Sequence, residues 1–268
     1  MGLLTGRRGL IVGIANERSL AYGIAKAAKA EGAELAVTYQ NELMKKRVGP
    51  IAQELGAFHV APCDLGNDAE IAAVMQALAA DGLDFVVHAV ASAKREELSG
   101  SFLQTSRDGF ALAMDVSCYS LIALARHAAP LLAASKHNPS ILTLSYIGAK
   151  VVVPSYNVMG VAKAALEATV RYLAVDLGPR GVRVNALSAG PVRTLSAAGI
   201  HGLREMLACV ERESPLRRNI DIDDVGRAAL APLSALGSAM TGETIFVDSG
   251  YHLLGGGAWA SATSGSTS

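Results

Sequence analysis

Short apolar runs and longer amphipathic stretches alternate along the chain, and the alternation predicts strands and helices in turn. The apolar runs fall at residues 9–12, 34–38, 58–62, 84–90, 141–144, 181–190 and 244–247. Helical spacing falls between them: at 19–31, from Asn67 or Asp68 onward, at 108–134, from Tyr156 onward, at 197–210 and at 223–233. After Tyr156, for example, Val158, Val161, Ala162, Ala165 and Leu166 recur at three- and four-residue spacing. Residues 84–90, DFVVHAV, are almost continuously apolar, as expected of a strand covered on both faces in the middle of a parallel sheet.

Composition narrows the class. The 268 residues fit one large α/β domain or two small ones, and the absence of a Pro-rich or charge-rich linker favours one, over residues 1–254. About half the residues are apolar, enough for a large core. Lys+Arg and Asp+Glu number 24 each, a balance that argues against nucleic acid or a membrane surface as the main partner. Cys63, Cys118 and Cys209 are widely spaced and odd in number, which suits reduced thiols in a cytoplasmic protein. The six histidines show no ligand spacing, so no metal is expected. No apolar run is read as long enough to span a membrane, and the N-terminus lacks the features of a signal peptide. The Gly- and Ser/Thr-rich tail, 255–268, is expected to lack fixed structure.

The first strand, a loop of small residues, a helix and a second strand make up the order of a dinucleotide-binding unit. Gly13, Ala15, Ser19 and Gly23 are small where a pyrophosphate would approach the backbone and the helix N-terminus. The loop does not match GxGxxG, and taken alone it is as compatible with a plain surface turn. After the second strand, Gln40 stands where an acid usually meets the adenosine ribose, and neither 40 nor 41 is Arg or Lys. NADH is therefore expected over NADPH, with Lys45, Lys46 and Arg47 on a solvated helical face. Asp64 follows the third strand, where it suits either the adenine amino group or a cap for the next helix. Val90 and Ala93 lie at the carboxyl end of the 84–90 strand, where a ligand of such a sheet is met. Cys118 and Tyr119 read as core or subunit contacts.

The most informative stretch is 145–163, SYIGAKVVVPSYNVMGVAK. On a helix, positions seven apart lie about 20° apart around the axis, so Tyr156 and Lys163 share a face. An ammonium near a phenol lowers the phenol's pKa, which makes a proton donor or an oxyanion partner of it. For the pair alone, an ordinary amphipathic helix edge is the commoner explanation.

The surroundings give the pair a context. The chain resembles the short-chain dehydrogenase/reductases, most of which carry Tyr-x-x-x-Lys with a Ser thirteen residues before the Tyr. Counting back from Lys163 puts Met159 at that Tyr and Tyr146 at that Ser. The phenol has moved one turn earlier, to Tyr156, and YNVMGVAK preceded by a Tyr ten residues upstream is similar to the bacterial enoyl-(acyl-carrier-protein) reductases. The resemblance covers roughly residues 1–254. It implies a single-domain, doubly wound (Rossmann-type) parallel sheet of about seven strands with helices on both faces.

What the resemblance implies about the site is specific. Gly13, Ala15, Ser19, Leu20, Asp64 and Leu65 would contact NADH/NAD+, as would Val192, Arg193, Thr194, Leu195 and Ser196 after the sixth strand. Lys163 would hold the nicotinamide ribose, and Tyr156 the thioester oxygen as hydride reaches the β-carbon. Tyr146, Ala93 and Met159 would line the acyl site. Ile200, Leu203 and Met206, on the 197–210 stretch, fit either a packed helix or a lid; the position beside the nicotinamide end favours a lid. The family commonly has Phe where this chain has Ser92. Implied partners are the acyl carrier protein that bears the enoyl group, and further copies in a homotetramer. Two other functions fit less of the pattern. A ketone or alcohol dehydrogenase would need its phenol at position 159. A non-catalytic NAD-sensing protein would need neither Tyr156 nor Lys163.

Overall fold

The computed structural model describes residues 1–194 and 202–254. Seven strands, β1 (Arg8–Val12), β2 (Glu34–Tyr39), β3 (His59–Pro62), β4 (Phe85–His88), β5 (Ser140–Ser145), β6 (Arg183–Ala189) and β7 (Thr244–Val247), form one sheet in the order β3-β2-β1-β4-β5-β6-β7. Every pairing is parallel. The order reverses between β1 and β4, and a crevice opens there at the carboxyl ends of the strands.

Side chains alternate between the two faces, as a strand requires. Leu10, Val12, Val86 and Ile141 pack on one side against α3 (Asp68–Leu78), α5 (Ser120–Ala134) and α6 (Asn157–Leu177). Ile11, Val37, Val87 and Leu142 pack on the other against α1 (Leu20–Ala30), α2 (Glu42–Glu54) and α8 (Ile222–Leu233). Local chemistry starts the helices. Asn41 accepts from the Met44 amide, Asn67 from the Ala69 amide, and Asp221 forms a capping box with Asp224. Asn67 thus caps α3, and Asp64 is left to other work.

Gly23 is small for a different reason than the expected approach of a pyrophosphate. A Cβ there would lie 2.2 Å from the Ile222 carbonyl oxygen, and one at Gly226 would lie 2.4 Å from the Gly23 carbonyl oxygen. The two glycines let α1 and α8 touch backbone to backbone.

The 108–134 stretch is one continuous rod with a fault in it. α4 (Arg107–Met114) runs through a π turn at Asp115–Tyr119 into α5. Ser120 Oγ donates to the Val116 carbonyl at 2.7 Å within this wide turn. Contrary to the sequence reading, Arg107–Ala134 is long and apolar enough to cross a membrane by length and composition. Half of its most apolar window is buried within the fold, however, and a core helix passes the same test.

Other boundaries shift by a few residues. α6 begins at Asn157 rather than Tyr156, which is flanked by left-handed backbone at Ser155 and Asn157 (φ 61° and 33°). α7 (Leu203–Glu213) starts after Gly202 at φ 79° and runs three residues beyond the expected end at Val210. Residues 195–201 of that stretch, and the tail 255–268, lie outside the described residues.

Candidate active site

A cleft of about 520 Å³ occupies the crevice at the carboxyl ends of the strands. At its middle lies the β1–α1 loop, since β1 stands between β2 and β4 in the sheet. Gly13 has φ 109°, and a Cβ there would lie 2.2 Å from the Ala89 carbonyl oxygen, so only glycine fits. The hydroxyl of Ser19 accepts from the Ala15 and Asn16 amides at 3.0 and 2.9 Å and donates to the Asn16 carbonyl at 2.5 Å. One side chain therefore does the shaping that further glycines do in GxGxxG. Ala15, Ser19, Leu20 and Ala21 line the cleft, bringing the α1 N-terminus to it, a position that attracts an anion.

Farther along the rim, Gln40, Asp64 and Leu65 line the same cleft. Gln40 Nε2 is 3.4 Å from Asp64 Oδ2, whose other oxygen accepts from the Gly66 amide. Lys45 is engaged nearby: its ammonium pairs with Glu42 at 3.2 Å and sits 5.7 Å from the centre of the Tyr39 ring.

At the opposite end stand the residues of the central stretch. Tyr156 and Lys163 are 9% and 6% exposed, yet both line the cleft, with Tyr146 and Met159. The Tyr146 and Tyr156 rings meet edge to face, with centroids 4.9 Å apart. Lys163 Nζ donates to the Leu144 carbonyl at 2.7 Å. Tyr146 donates to the sulfur of Met206 at 3.1 Å, which ties α7 to the end of β5.

The electrostatics correct the sequence reading. Burial, and then the neighbouring Tyr146, push the Tyr156 phenol up from its ordinary pKa rather than down. Burial also lifts Tyr146 to about 12 and depresses Lys163 to about 8, while the charges of Cys118 and Glu167 pull Lys163 back up. Removal from water, not the lysine, sets the direction of the Tyr156 shift. Tyr156 is thus a neutral hydrogen-bond donor at neutral pH.

Most of the expected residues meet at this cleft. Val90, Ala93, Val192, Thr194, Leu203 and Met206 line it with those already named. Arg193 does not; its side chain is exposed outside the cleft lining. Leu195, Ser196 and Ile200 lie outside the described residues.

Three buried polar residues escaped the sequence reading. His88, fully buried at the end of β4, holds Thr143 Oγ1 and Ser120 Oγ at 2.8 Å each, and burial lowers its pKa to about 3. Ser117, in the π turn, accepts from the Ser92 amide and donates to its carbonyl, both at 3.0 Å, fixing the loop after β4. Glu167, 3% exposed, accepts from Ser145 Oγ at 2.7 Å. A polar residue inside an otherwise apolar run was the available signal for His88 alone.

Comparison with known proteins adds to this geometry. A family model described as Enoyl-(Acyl carrier protein) reductase matches residues 13–252. Over 256 residues the chain is 55% identical to enoyl-(acyl-carrier-protein) reductase (NADH) 1 of Rhizobium meliloti strain 1021, covering 95% of this chain and 93% of the relative. A crystal structure of the enoyl-(acyl-carrier-protein) reductase of Anaplasma phagocytophilum in complex with NAD superposes with a TM-score of 0.91 at 52% identity, covering 95% of this chain and 97% of that one. The Bacillus cereus enoyl-acyl carrier protein reductase, crystallised with NADP+ and indole naphthyridinone, superposes with a TM-score of 0.92 at 46% identity, covering 95% and 100%.

Proposed function

The chain belongs to the enoyl-(acyl-carrier-protein) reductase family, and on that premise we infer that it is an NADH-dependent reductase of trans-2-enoyl-acyl-carrier-protein thioesters in fatty-acid synthesis. The observation that carries the reading is the pairing of a buried, neutral Tyr156 hydroxyl with Met159 one turn nearer Lys163. Met159 has no proton for a ketone oxygen, whereas Tyr156 can hold an oxygen further from the lysine.

The cleft suits the dinucleotide. Its Gly13 cradle would be filled by a Cβ, and its length runs from the Gln40–Asp64 pair to Lys163. Gly13, Ala15, Ser19 and Leu20 would hold the pyrophosphate, Asp64 and Leu65 the adenine, Gln40 the ribose hydroxyls and Lys163 the second ribose. Val90, Val192 and Thr194 would flank the nicotinamide, with Leu195 and Ser196 beyond them in the chain. When bound, NADH supplies a hydride to the β-carbon of the enoyl group. Tyr156 then donates to the thioester oxygen on which the negative charge collects, and stabilising such developing charge is usually the largest catalytic contribution. Tyr146, Met159 and Ala93 shape the acyl site. Leu203 and Met206, on α7, close its open side as a lid.

Residues 1–254 act as one domain, and its thiols suit a reducing cytoplasm. Copies of the chain pair into a tetramer. Its contact faces are the exposed apolar residues of α6 and its neighbour, among them Tyr119, Val161, Tyr172 and Val175. Sedimentation as a monomer at micromolar concentration contradicts that pairing.

The activity is tested by following NADH oxidation with crotonyl and longer trans-2-enoyl thioesters, with NADPH and simple ketones run in parallel. Faster reduction of ketones than of enoyl thioesters overturns the reading. Faster turnover with NADPH overturns the role given to Gln40.

A further inference from the structure

Glu167 is a buried carboxylate that the reaction outlined above does not use. It lies one helical turn beyond Lys163 on α6 and is 3% exposed. Burying such a group costs several kcal/mol unless partners satisfy it. Its partners are placed with a pattern. One oxygen accepts from Ser145 Oγ at 2.7 Å, immediately before Tyr146. The other is 3.3 Å from Lys150 Nζ, just after the tight turn Ile147–Ala149. One carboxylate therefore grips both ends of the segment that carries Tyr146. The same segment contains Gly148, where a Cβ would lie 2.6 Å from the Tyr156 ring. The position of the segment thus sets where both phenols stand.

We infer that Glu167 is a positioning residue: it clamps the Tyr146 turn through Ser145 and Lys150 and so sets where the Tyr146 and Tyr156 phenols stand. The inference rests on the reading of Tyr146 and Tyr156 as the residues that shape the acyl site.

The test is Glu167→Gln, which keeps the shape and the acceptor for Ser145 but removes the charge that holds Lys150. Tyrosine-selective NMR of the whole protein, with the Tyr146 signal assigned by its loss in Tyr146→Phe, reads the turn without cofactor or activity. Expected is a Tyr146 signal moved in Glu167→Gln and in Ser145→Ala, which keeps the carboxylate and breaks its hold on the turn. A Tyr146 signal at the wild-type position in both overturns the inference. Expected in Ser145→Ala is also a KM for the enoyl thioester raised about three- to ten-fold, the usual worth of one hydrogen bond, with calorimetric NADH affinity unchanged. A wild-type KM overturns the clamp. If the Tyr146 signal moves and the wild type does not reduce enoyl thioesters, the reading of the site is wrong and the clamp stands.

Discussion

The edge of one tyrosine ring meets the face of another where Tyr146 and Tyr156 pack at 4.9 Å and 67°. The contact holds the Tyr156 hydroxyl in the cleft and keeps water from it, so the phenol stays protonated. Tyr156→Phe keeps the ring contact and removes only the donor. It should lower kcat by about 10²–10³, the usual loss for one oxyanion donor, with NADH affinity nearly unchanged. Full enoyl reduction by the variant would exclude Tyr156 as that donor.

Lys163 should make cofactor binding sensitive to alkali. Its pKa of about 8 in the fold lies below the ordinary 10.5, so between those values the folded protein has released a proton that the unfolded chain retains. The charge needed for NADH is lost as pH rises through about 8, and affinity should fall there. The lysine's contribution to stability should rise over the same window, because its desolvation penalty is relieved. Lys163→Met should flatten both trends. Calorimetric titration and urea unfolding at several pH values measure the two separately.

His88 gives an acid-side counterpart. Its pKa of about 3 lies below the ordinary 6.5, so the unfolded chain takes up a proton that the fold refuses as pH drops between them. Stability from this residue is full above about pH 6.5 and declines toward pH 3. His88→Gln should cost about 1–3 kcal/mol at neutral pH through Thr143 and Ser120 left poorly paired. The variant should then lose less than wild type on acidification. Parallel urea midpoints for the two proteins would contradict this.

Two glycines in and after the β1–α1 loop should fail in different ways. Gly13→Ala puts a methyl against the Ala89 carbonyl at a left-handed backbone position, so it should weaken NADH binding severely. Gly23→Ala instead wedges α1 from α8 and should destabilise the apo protein by about 1–3 kcal/mol, the usual cost of overpacking. If Gly23→Ala proved as stable as wild type, the backbone contact would not be a constraint.

The sheet was legible because each strand is a short apolar run bounded by turn residues, and the register of Tyr156 against Lys163 was legible because helix geometry is periodic. The sign of the Tyr156 shift was not. It depends on how much water the fold removes from the phenol and the ammonium, and no spacing in 145–163 reports that. Gly23 was misassigned because a small residue near a loop has two uses, approach of a ligand or of another helix. The partner, Gly226, lies about two hundred residues away in sequence. Asp64 was freed from capping by Asn67, a choice between two neighbouring acceptors that only loop geometry settles. Glu167 and Ser117 act through contacts with distant segments, which leave no periodic trace.

The wide turn at Asp115–Tyr119 also makes chain length a determinant of the site. One additional residue there turns everything beyond it by about 100° relative to an uninterrupted helix. Upstream, Ala113 faces Tyr156 and Met159; downstream, Leu121 and Leu124 face the sheet. The two faces belong to different windings and are reconciled only by the extra residue. A one-residue deletion within it would leave a regular helix with every side chain outside the gap intact, yet swing Ser117 away from Ser92. The place of Ser92 at the cleft is thus written as a residue count, which any repacking of this helix must preserve.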